Sequence, residues 1–265
     1  MAKIGLILGG GGTRGYAHIG VLKVIDKLGI KIDAVAGCSV GSLIGAAYCS
    51  GTSPDEIEKY AKKLGLLDVF DVNISPKGIR TTKKLEKIFN DTVQVNKFED
   101  LKIPLFINAV NLSKTKEEIF SKGNIFDAIR ASVSVPGLVS PYKIGSDYYV
   151  DGGVMNSEPV SILPNTIKRY IIVDVSPLGK LEIEKANVID IIDISMRIMQ
   201  KESWKLRNMG ILKRKHVIIK PNLYKNLLLE PRKKYTEIIK EGEIAALRKQ
   251  KELQNLSKSW YHLKK

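Results

Sequence analysis

The chain has 265 residues, 44% of them hydrophobic, enough to enclose one large core or two small ones. Its 43 Lys and Arg against 28 Asp and Glu leave +15, and residues 201–265, with 18 basic and 6 acidic side chains, carry most of that excess. Only two cysteines, no stretch near the roughly 18 apolar residues of a membrane span and no signal-peptide pattern together exclude a disulfide framework and an integral membrane protein, and the expectation is a cytoplasmic protein, at most peripheral to a membrane. A field of this sign attracts nucleic acid or acidic lipid headgroups, or it is simply a Lys-rich solvated face.

In chain order, Ile4 to Leu8 reads as a buried strand, followed by the glycine loop Gly9-Gly10-Gly11-Gly12-Thr13-Arg14-Gly15. Ala17 to Leu28 places Val21, Val24, Ile25 and Leu28 on one helix face, closed by Gly29. Ala34 to Cys38 is a second strand, running into Gly37-Cys38-Ser39-Val40-Gly41 and a helix that starts near Ser42. Ser53-Pro54-Asp55-Glu56 has the N-cap, first-turn proline and acids that open a third helix. Gly65 to Arg80 looks like an excursion over one edge, where a lid could form. Further buried strands are expected at Leu105 to Val110, Tyr170 to Val175 and Val217 to Ile219, and a partly alternating run, Lys143 to Val150, leads into Asp151-Gly152-Gly153. Near-continuous apolar strands alternating with helices point to one α/β domain whose parallel sheet is covered on both faces.

Gly-X-Ser-X-Gly between a strand and a helix is the sharp turn that lifts a serine hydroxyl to the top of a sheet, and Gly37 and Gly41 leave room for it. Ser39 is therefore the candidate nucleophile. The glycine loop formally matches a dinucleotide fingerprint, but the place of the acidic ribose partner is taken by the serine turn itself, and Asp33 comes before that strand. The reading that fits is an oxyanion hole, with backbone N–H groups of Gly10, Gly11 and Gly12 reaching the developing oxyanion and Arg14 holding the loop or adding charge. For the base, Asp151 ends an extended run beside flexible backbone. A carboxylate can do the work of imidazole without a third residue to fix a tautomer, provided a dry site raises its basicity. The alternative is a Ser-Asp-His triad of Ser39, Asp151 and His216, although His216 begins its strand at the end opposite the serine turn. His18 is expected to pack or cap, and His262 lies in the tail.

The ordered set of glycine loop, Gly-X-Ser-X-Gly and Asp-Gly-Gly, joined by Ala131-Ser132-Val133-Ser134-Val135-Pro136, resembles the patatin-like phospholipase family in its small bacterial form. The resemblance covers Ile4 to Pro221. It implies a three-layer α/β/α sandwich with a mostly parallel central sheet, a Ser39–Asp151 dyad, an oxyanion hole from the Gly10 to Gly12 backbone, and a substrate side closed by residues 131–136. Cys38 departs from the small Ala or Thr more usual before the serine. The implied activity is hydrolysis of fatty-acyl esters of lipids, with a lipid or ester as the partner, no nucleic acid, and no cofactor or metal, since no ligand cluster or calcium loop is visible.

Residues 1–221 are thus expected to form the hydrolase domain, and 222–265 a basic, helical extension packed on it. In Tyr235 to Trp260, Ile238, Ile239, Ile244, Leu247, Leu253 and Leu256 recur at roughly helical spacing among Lys and Arg. That stripe either packs on the domain, or its basic side and Trp260-Tyr261 dock on acidic lipid. The non-enzymatic alternative is a basic peripheral binding protein.

Overall fold

A computed structural model describes residues 2–63, 70–75, 78–81, 83–176, 188, 190–192, 194–199, 210, 213–223 and 231–257, with only the backbone for 70–84. Its strands are β1 (Lys3–Leu8), β2 (Ala34–Gly37), β3 (Phe70–Ser75), β4 (Gly78–Thr81), β5 (Leu105–Asn111), β6 (Lys116–Phe120), β7 (Tyr142–Ile144), β8 (Asp147–Asp151), β9 (Ile167–Val173) and β10 (Lys215–Ile219). The helices are α1 (Ala17–Lys27), α2 (Val40–Ser50), α3 (Pro54–Lys63), α4 (Lys83–Thr92), α5 (Ile125–Ser132), α6 (Tyr235–Arg248) and α7 (Gln250–Ser257).

The main sheet runs β10-β9-β1-β2-β5, all parallel, and continues into antiparallel β6, β8 and β7. The architecture is a three-layer α/β/α sandwich with a mostly parallel sheet. Alternate residues of β1 serve its two faces. Ile4, Leu6 and Leu8 join a core with α1, α2, α6 and α7, whereas Ile7 faces a smaller cluster with Val160, Ile162, Leu163 and Tyr170. Among the described residues that second face is covered by a 3-10 turn, Val160–Ile162, rather than by a long helix. Each fully buried Leu or Ile contributes about 1.5–3 kcal/mol relative to exposure.

Local signals explain most boundaries. Ser53 and Glu56 form a reciprocal capping box, Ser53 N–H donating to Glu56 Oε2 at 3.0 Å and Glu56 N–H to Ser53 Oγ at 3.3 Å. Asn124 caps α5 by accepting from Asp127 N–H at 3.0 Å. The partly alternating, extended run from Lys143 to Val150 is a hairpin, β7 and β8, turned at Gly145 with φ +60°. In the excursion, β3 and β4 pair as a separate two-stranded sheet, while 64–69, 76, 77 and the lid expectation they would carry lie outside the described residues.

The C-terminal helices are bound into this body. Tyr235, Ile238, Ile239, Leu253 and Leu256 are buried and only Leu247 of the expected stripe is exposed, while Trp260, Tyr261 and His262 lie outside the described residues. Where α1 crosses α6, backbone meets backbone. A Cβ on Gly20 would stand 2.0 Å from Ile239 O, and one on Gly242 would stand 2.0 Å from Ala17 O. Tyr16, just before α1, stacks obliquely on Tyr235 with ring centroids 4.3 Å apart.

Candidate active site

β2 ends at Gly37 and α2 begins at Val40, leaving two residues to reverse direction. Ser39 makes the reversal at φ +51°, ψ −126°, a strained conformation for a residue with a side chain. The turn is so tight that a Cβ on Gly41 would lie 2.1 Å from Leu8 O, and one on Gly37 would lie 2.7 Å from Gly41 O. Ser39 N–H donates to Ser132 Oγ at 2.9 Å, and Ser39 O accepts from Ser42 Oγ at 2.6 Å and from Ser42 N–H at 2.9 Å. These bonds hold the strained residue in place at the start of α2, whose positive dipole end faces it.

Asp151 arrives by a different route. β6 occupies one edge of β5 along residues 107–111, so β2 and β8 share the other edge: Ile107 pairs with Gly37, and Ala109 with Asp151. β2 and β8 therefore run head-on along one strand, their carboxyl ends two β5 residues apart, about 7 Å at the usual rise. That arrangement brings the ends carrying Ser39 and Asp151 to the same level of the sheet. Asp151 is buried; its Oδ1 accepts from Gly153 N–H at 2.6 Å, and the Cys38 thiol lies 3.8 Å from the same oxygen. Burial, reinforced by the neighbouring Asp151 charge, pushes the Cys38 thiol up, so it stays protonated.

The glycine loop lies over the turn, a Cβ on Gly10 falling 3.5 Å from Ser39 Cβ. Its N–H groups differ from the expectation in one respect. Gly10 N–H already donates to Ser157 O at 2.9 Å. Among the described residues neither the Gly11 nor the Gly12 N–H has a backbone partner. Arg14 is buried, outside the pocket lining, and its Nε donates to Gly11 O at 3.2 Å, so it braces the loop rather than lining the site. His18, wholly buried on α1, holds the loop from beneath: its Nε2 sits 2.7 Å from Gly9 O. A carbonyl only accepts, so Nε2 carries the hydrogen and Nδ1, which has no partner among the described residues, does not. Burial lowers the His18 pKa to about 4, keeping the ring neutral.

Glu158, which is buried, and Asp174, which is partly buried, lie behind the loop. Burial, and then the Asp174 charge, raise Glu158 to about 7, while the ion pair with Lys220 at 2.8 Å holds Asp174 low against its burial. Ser39, Asp151, Gly10, Gly11, Gly12 and Gly153 border one pocket of about 410 Å³, open to solvent, with Val135, Ser157, Met196 and Arg197 completing it. His216 is not there. It pairs with Tyr170, which is level with Gly5 near the opposite end of the sheet, and its Nδ1 lies 2.9 Å from Arg214 O.

Sequence reading missed how residues 131–136 act. Ser132 receives the Ser39 N–H, Ser134 O accepts from Asp151 N–H at 2.9 Å, and Val135 lines the pocket, so one short segment ties together both halves of the site. Met196 and Arg197 gave no sequence signal at all. No group of three or more His, Cys, Asp or Glu among the described residues is placed to hold a metal ion.

Fold and site together define an α/β/α protein organised around a strand–serine–helix turn beneath a glycine loop. The chain belongs to the patatin-like phospholipase family, whose model matches residues 6–164, a span that contains every one of these motifs. It is 35% identical over 184 residues to lysophospholipase NTE1 of Cryptococcus neoformans, covering 65% of this chain and 11% of that protein. It is 35% identical over 162 residues to an uncharacterized NTE family protein of Mycobacterium tuberculosis, covering 60% and 45%. Against the neuropathy target esterase sws of Drosophila melanogaster the identity is 34% over 178 residues, covering 64% and 12%. The chain thus matches less than half the length of each of these relatives. Among solved structures, VipD from Legionella pneumophila superposes with a TM-score of 0.64 at 14% identity, covering 97% of this chain and 67% of that one. ExoU, in its complex with SpcU from Pseudomonas aeruginosa, gives 0.52 at 15% identity, covering 96% and 52%. These two likenesses are of fold.

Proposed function

We propose that the protein is a serine acyl hydrolase that cleaves fatty-acyl esters of phospholipids or lysophospholipids, with Ser39 as nucleophile and Asp151 as base. The observation that carries this reading is the head-on meeting of β2 and β8 on one edge of β5, which opens Ser39 and Asp151 onto one pocket. The names of the curated relatives, a lysophospholipase and an esterase, support the substrate class.

Asp151 takes the hydroxyl proton as Ser39 Oγ attacks the ester carbonyl. The Gly11 and Gly12 N–H groups, both uncommitted to backbone among the described residues, stabilise the oxyanion. Collapse of this intermediate breaks the ester C–O bond; the proton held by Asp151 leaves with the alcohol or lysolipid, and the acyl group stays on Ser39. Water then loses a proton to Asp151, attacks the acyl-enzyme and releases the fatty acid, the proton returning to Ser39. Gly10 N–H, committed to Ser157, keeps the loop in position. The bonds from Ser39 N–H to Ser132 and to Ser39 O from Ser42 hold the strained residue in one backbone conformation before substrate arrives.

The test is labelling by a fluorophosphonate together with turnover of a soluble p-nitrophenyl ester and of lysophosphatidylcholine. Ser39→Ala should abolish labelling and lower turnover by about a thousandfold or more, and Asp151→Asn should behave similarly, with His216→Ala near wild type. Wild-type turnover by Ser39→Ala, or a dead His216→Ala beside an active Asp151→Asn, overturns the dyad.

A further inference from the structure

One buried ionisable group takes no part in the dyad mechanism. Glu158 lies on the segment that leads out of the Asp151-Gly152-Gly153 turn, and its side chain is folded in behind the glycine loop rather than out toward water. A Cβ on Gly9 would stand 3.3 Å from Glu158 Cγ, so the acid packs directly on the backbone of the loop. Burying a carboxyl group is unfavourable unless hydrogen bonds and charges compensate it, whereas a hydrocarbon side chain of similar size carries no such cost.

The two carboxyl oxygens reach different parts of the site. Ser157 Oγ donates to Glu158 Oε2 at 2.8 Å, and Ser176 Oγ lies 3.4 Å from Glu158 Oε1. Ser176 Oγ accepts from Arg197 Nη1 at 2.6 Å, which leaves its own hydrogen for the carboxylate. Ser157 and Arg197 both line the pocket that holds Ser39 and Asp151. The Ser157 carbonyl in turn accepts the Gly10 N–H at 2.9 Å, and this bond anchors the loop whose Gly11 and Gly12 N–H groups are the proposed oxyanion donors. One carboxyl group is thus joined through Ser157 to the loop and through Ser176 to the arginine of the pocket wall.

We propose that Glu158 is a positioning residue for the glycine loop: in its ionised form it holds Ser157, and with it the Gly10 anchor, and draws Arg197 against the pocket wall. This rests on the acyl-hydrolase reading for the role of the loop. A carboxylate accepts stronger hydrogen bonds than a carboxylic acid and attracts the guanidinium, so the hold weakens when Glu158 is protonated. The groups facing it come from several elements. Asp174, just past β9, repels it and is itself paired with Lys220, just past β10, at 2.8 Å; Arg197 attracts it, and the Ser157 and Ser176 hydroxyls favour its charged form. Cys38 stays a neutral thiol, and His18 on α1, which faces Asp174, stays a neutral ring. Burial first, and then Asp174, raise Glu158 to about 7, so its charge changes near neutral pH. The loop is therefore set for catalysis above that value and relaxed below it.

Glu158→Gln keeps the size of the side chain and removes its charge. On a soluble short-chain ester, wild-type kcat should rise about tenfold from about pH 6 to about pH 8, with a midpoint near 7. That is less than the roughly hundredfold loss of an oxyanion donor, because the loop shifts but keeps its N–H groups. The Gln variant should lack this rise, meeting wild type at the acid end and falling about tenfold below it at the alkaline end, with KM moving far less than kcat. Ser157→Ala, which takes a donor from the charged carboxylate, should move the midpoint upward. Parallel profiles for Glu158→Gln and wild type, or an unmoved midpoint in Ser157→Ala, overturn the inference. A second readout needs no turnover: in amide spectra of isotope-labelled protein, the Gly10 resonance should shift with pH around 7 in wild type and stay fixed in Glu158→Gln. A Gly10 resonance that titrates alike in both proteins also overturns it. Failure of the acyl-hydrolase reading shows separately, as a wild-type protein inert on the ester at every pH whose Gly10 titration still depends on Glu158.

Discussion

Backbone closely approaches backbone both at the serine turn and where α1 crosses α6, and the two contacts do different things. At the serine turn, Gly37 and Gly41 let a strand, a loop and a helix cross within a few residues of Ser39. At the crossing of α1 and α6, Gly20 and Gly242 let two helices from distant parts of the chain meet without an intervening side chain. The first contact builds strain into Ser39, the proposed nucleophile. The second supplies the rigidity that strain requires, because α1 carries His18 beneath the glycine loop and Tyr16 leans on Tyr235 of α6. The serine turn is thereby supported by helices that begin only at Tyr235.

The largest effect should come from removing the support altogether. Truncation after Pro231 deletes the buried Tyr235, Ile238, Ile239, Leu253 and Leu256 and should give an unfolded or insoluble product; a folded truncate active on soluble esters would show that the turn stands alone. Next, Gly242→Ala places a methyl group 2.0 Å from Ala17 O and should cost about 3 kcal/mol in denaturant unfolding, the upper range for overpacking. A loss below about 1 kcal/mol would mean that the helices can part freely.

A third prediction concerns pH. His18 has its folded pKa lowered to about 4 from 6.5, so its contribution is fully present above pH 6.5 and is lost as pH falls through about 4. The full effect is about 3 kcal/mol. Glu158, raised to about 7 from 4.5, acts in the opposite sense: its contribution is present below pH 4.5 and lost as pH rises through about 7. Comparing wild type with His18→Gln therefore isolates the histidine, and the variant should lose that much less stability on acidification from pH 7 to 4. Parallel curves would sink the assignment of His18 as a neutral strut.

The smallest effect has the opposite sign. Ser39→Gly relieves a positive φ and should raise stability by about 1 kcal/mol while removing activity. Unchanged or lower stability would mean that the turn stores no usable strain.

The serine turn was legible from sequence because all its determinants lie within a dozen residues: a strand, two glycines at fixed spacing and a helix start. The α1–α6 crossing was not, since Gly20 reads as an ordinary helix glycine until its partner is known. The same distinction holds for the pocket. Asp151 could be singled out by its Asp-Gly-Gly context, but its proximity to Ser39 depends on β2 and β8 sharing an edge of β5, a matter of register between segments far apart. Ser132 was recognised only as part of a motif, and its bond to Ser39 N–H spans 93 residues. The turn at Gly145 was not read from sequence because the two arms of the hairpin alternate in similar fashion on either side of it and together look like one extended run. Strand β6 was missed because Lys116-Glu117-Glu118-Ile119-Phe120 is too polar to resemble a buried strand.

The shared edge of β5 also bears on how the enzyme would fail. β8 is held to β5 by only three residue pairs, Ala109–Asp151, Val110–Val150 and Asn111–Tyr149, and its other neighbour is the three-residue strand β7. Ser39, by contrast, belongs to the parallel core. Such an arrangement gives the hairpin its own opening equilibrium, cheaper than global unfolding. Amide protons of β7 and β8 should exchange before those of β1 and β2, and on warming Asp151, the proposed base, would swing away from the proposed nucleophile Ser39 while that is still in place. Inactivation would then precede melting and reverse on cooling, making the hairpin a thermal fuse for the site.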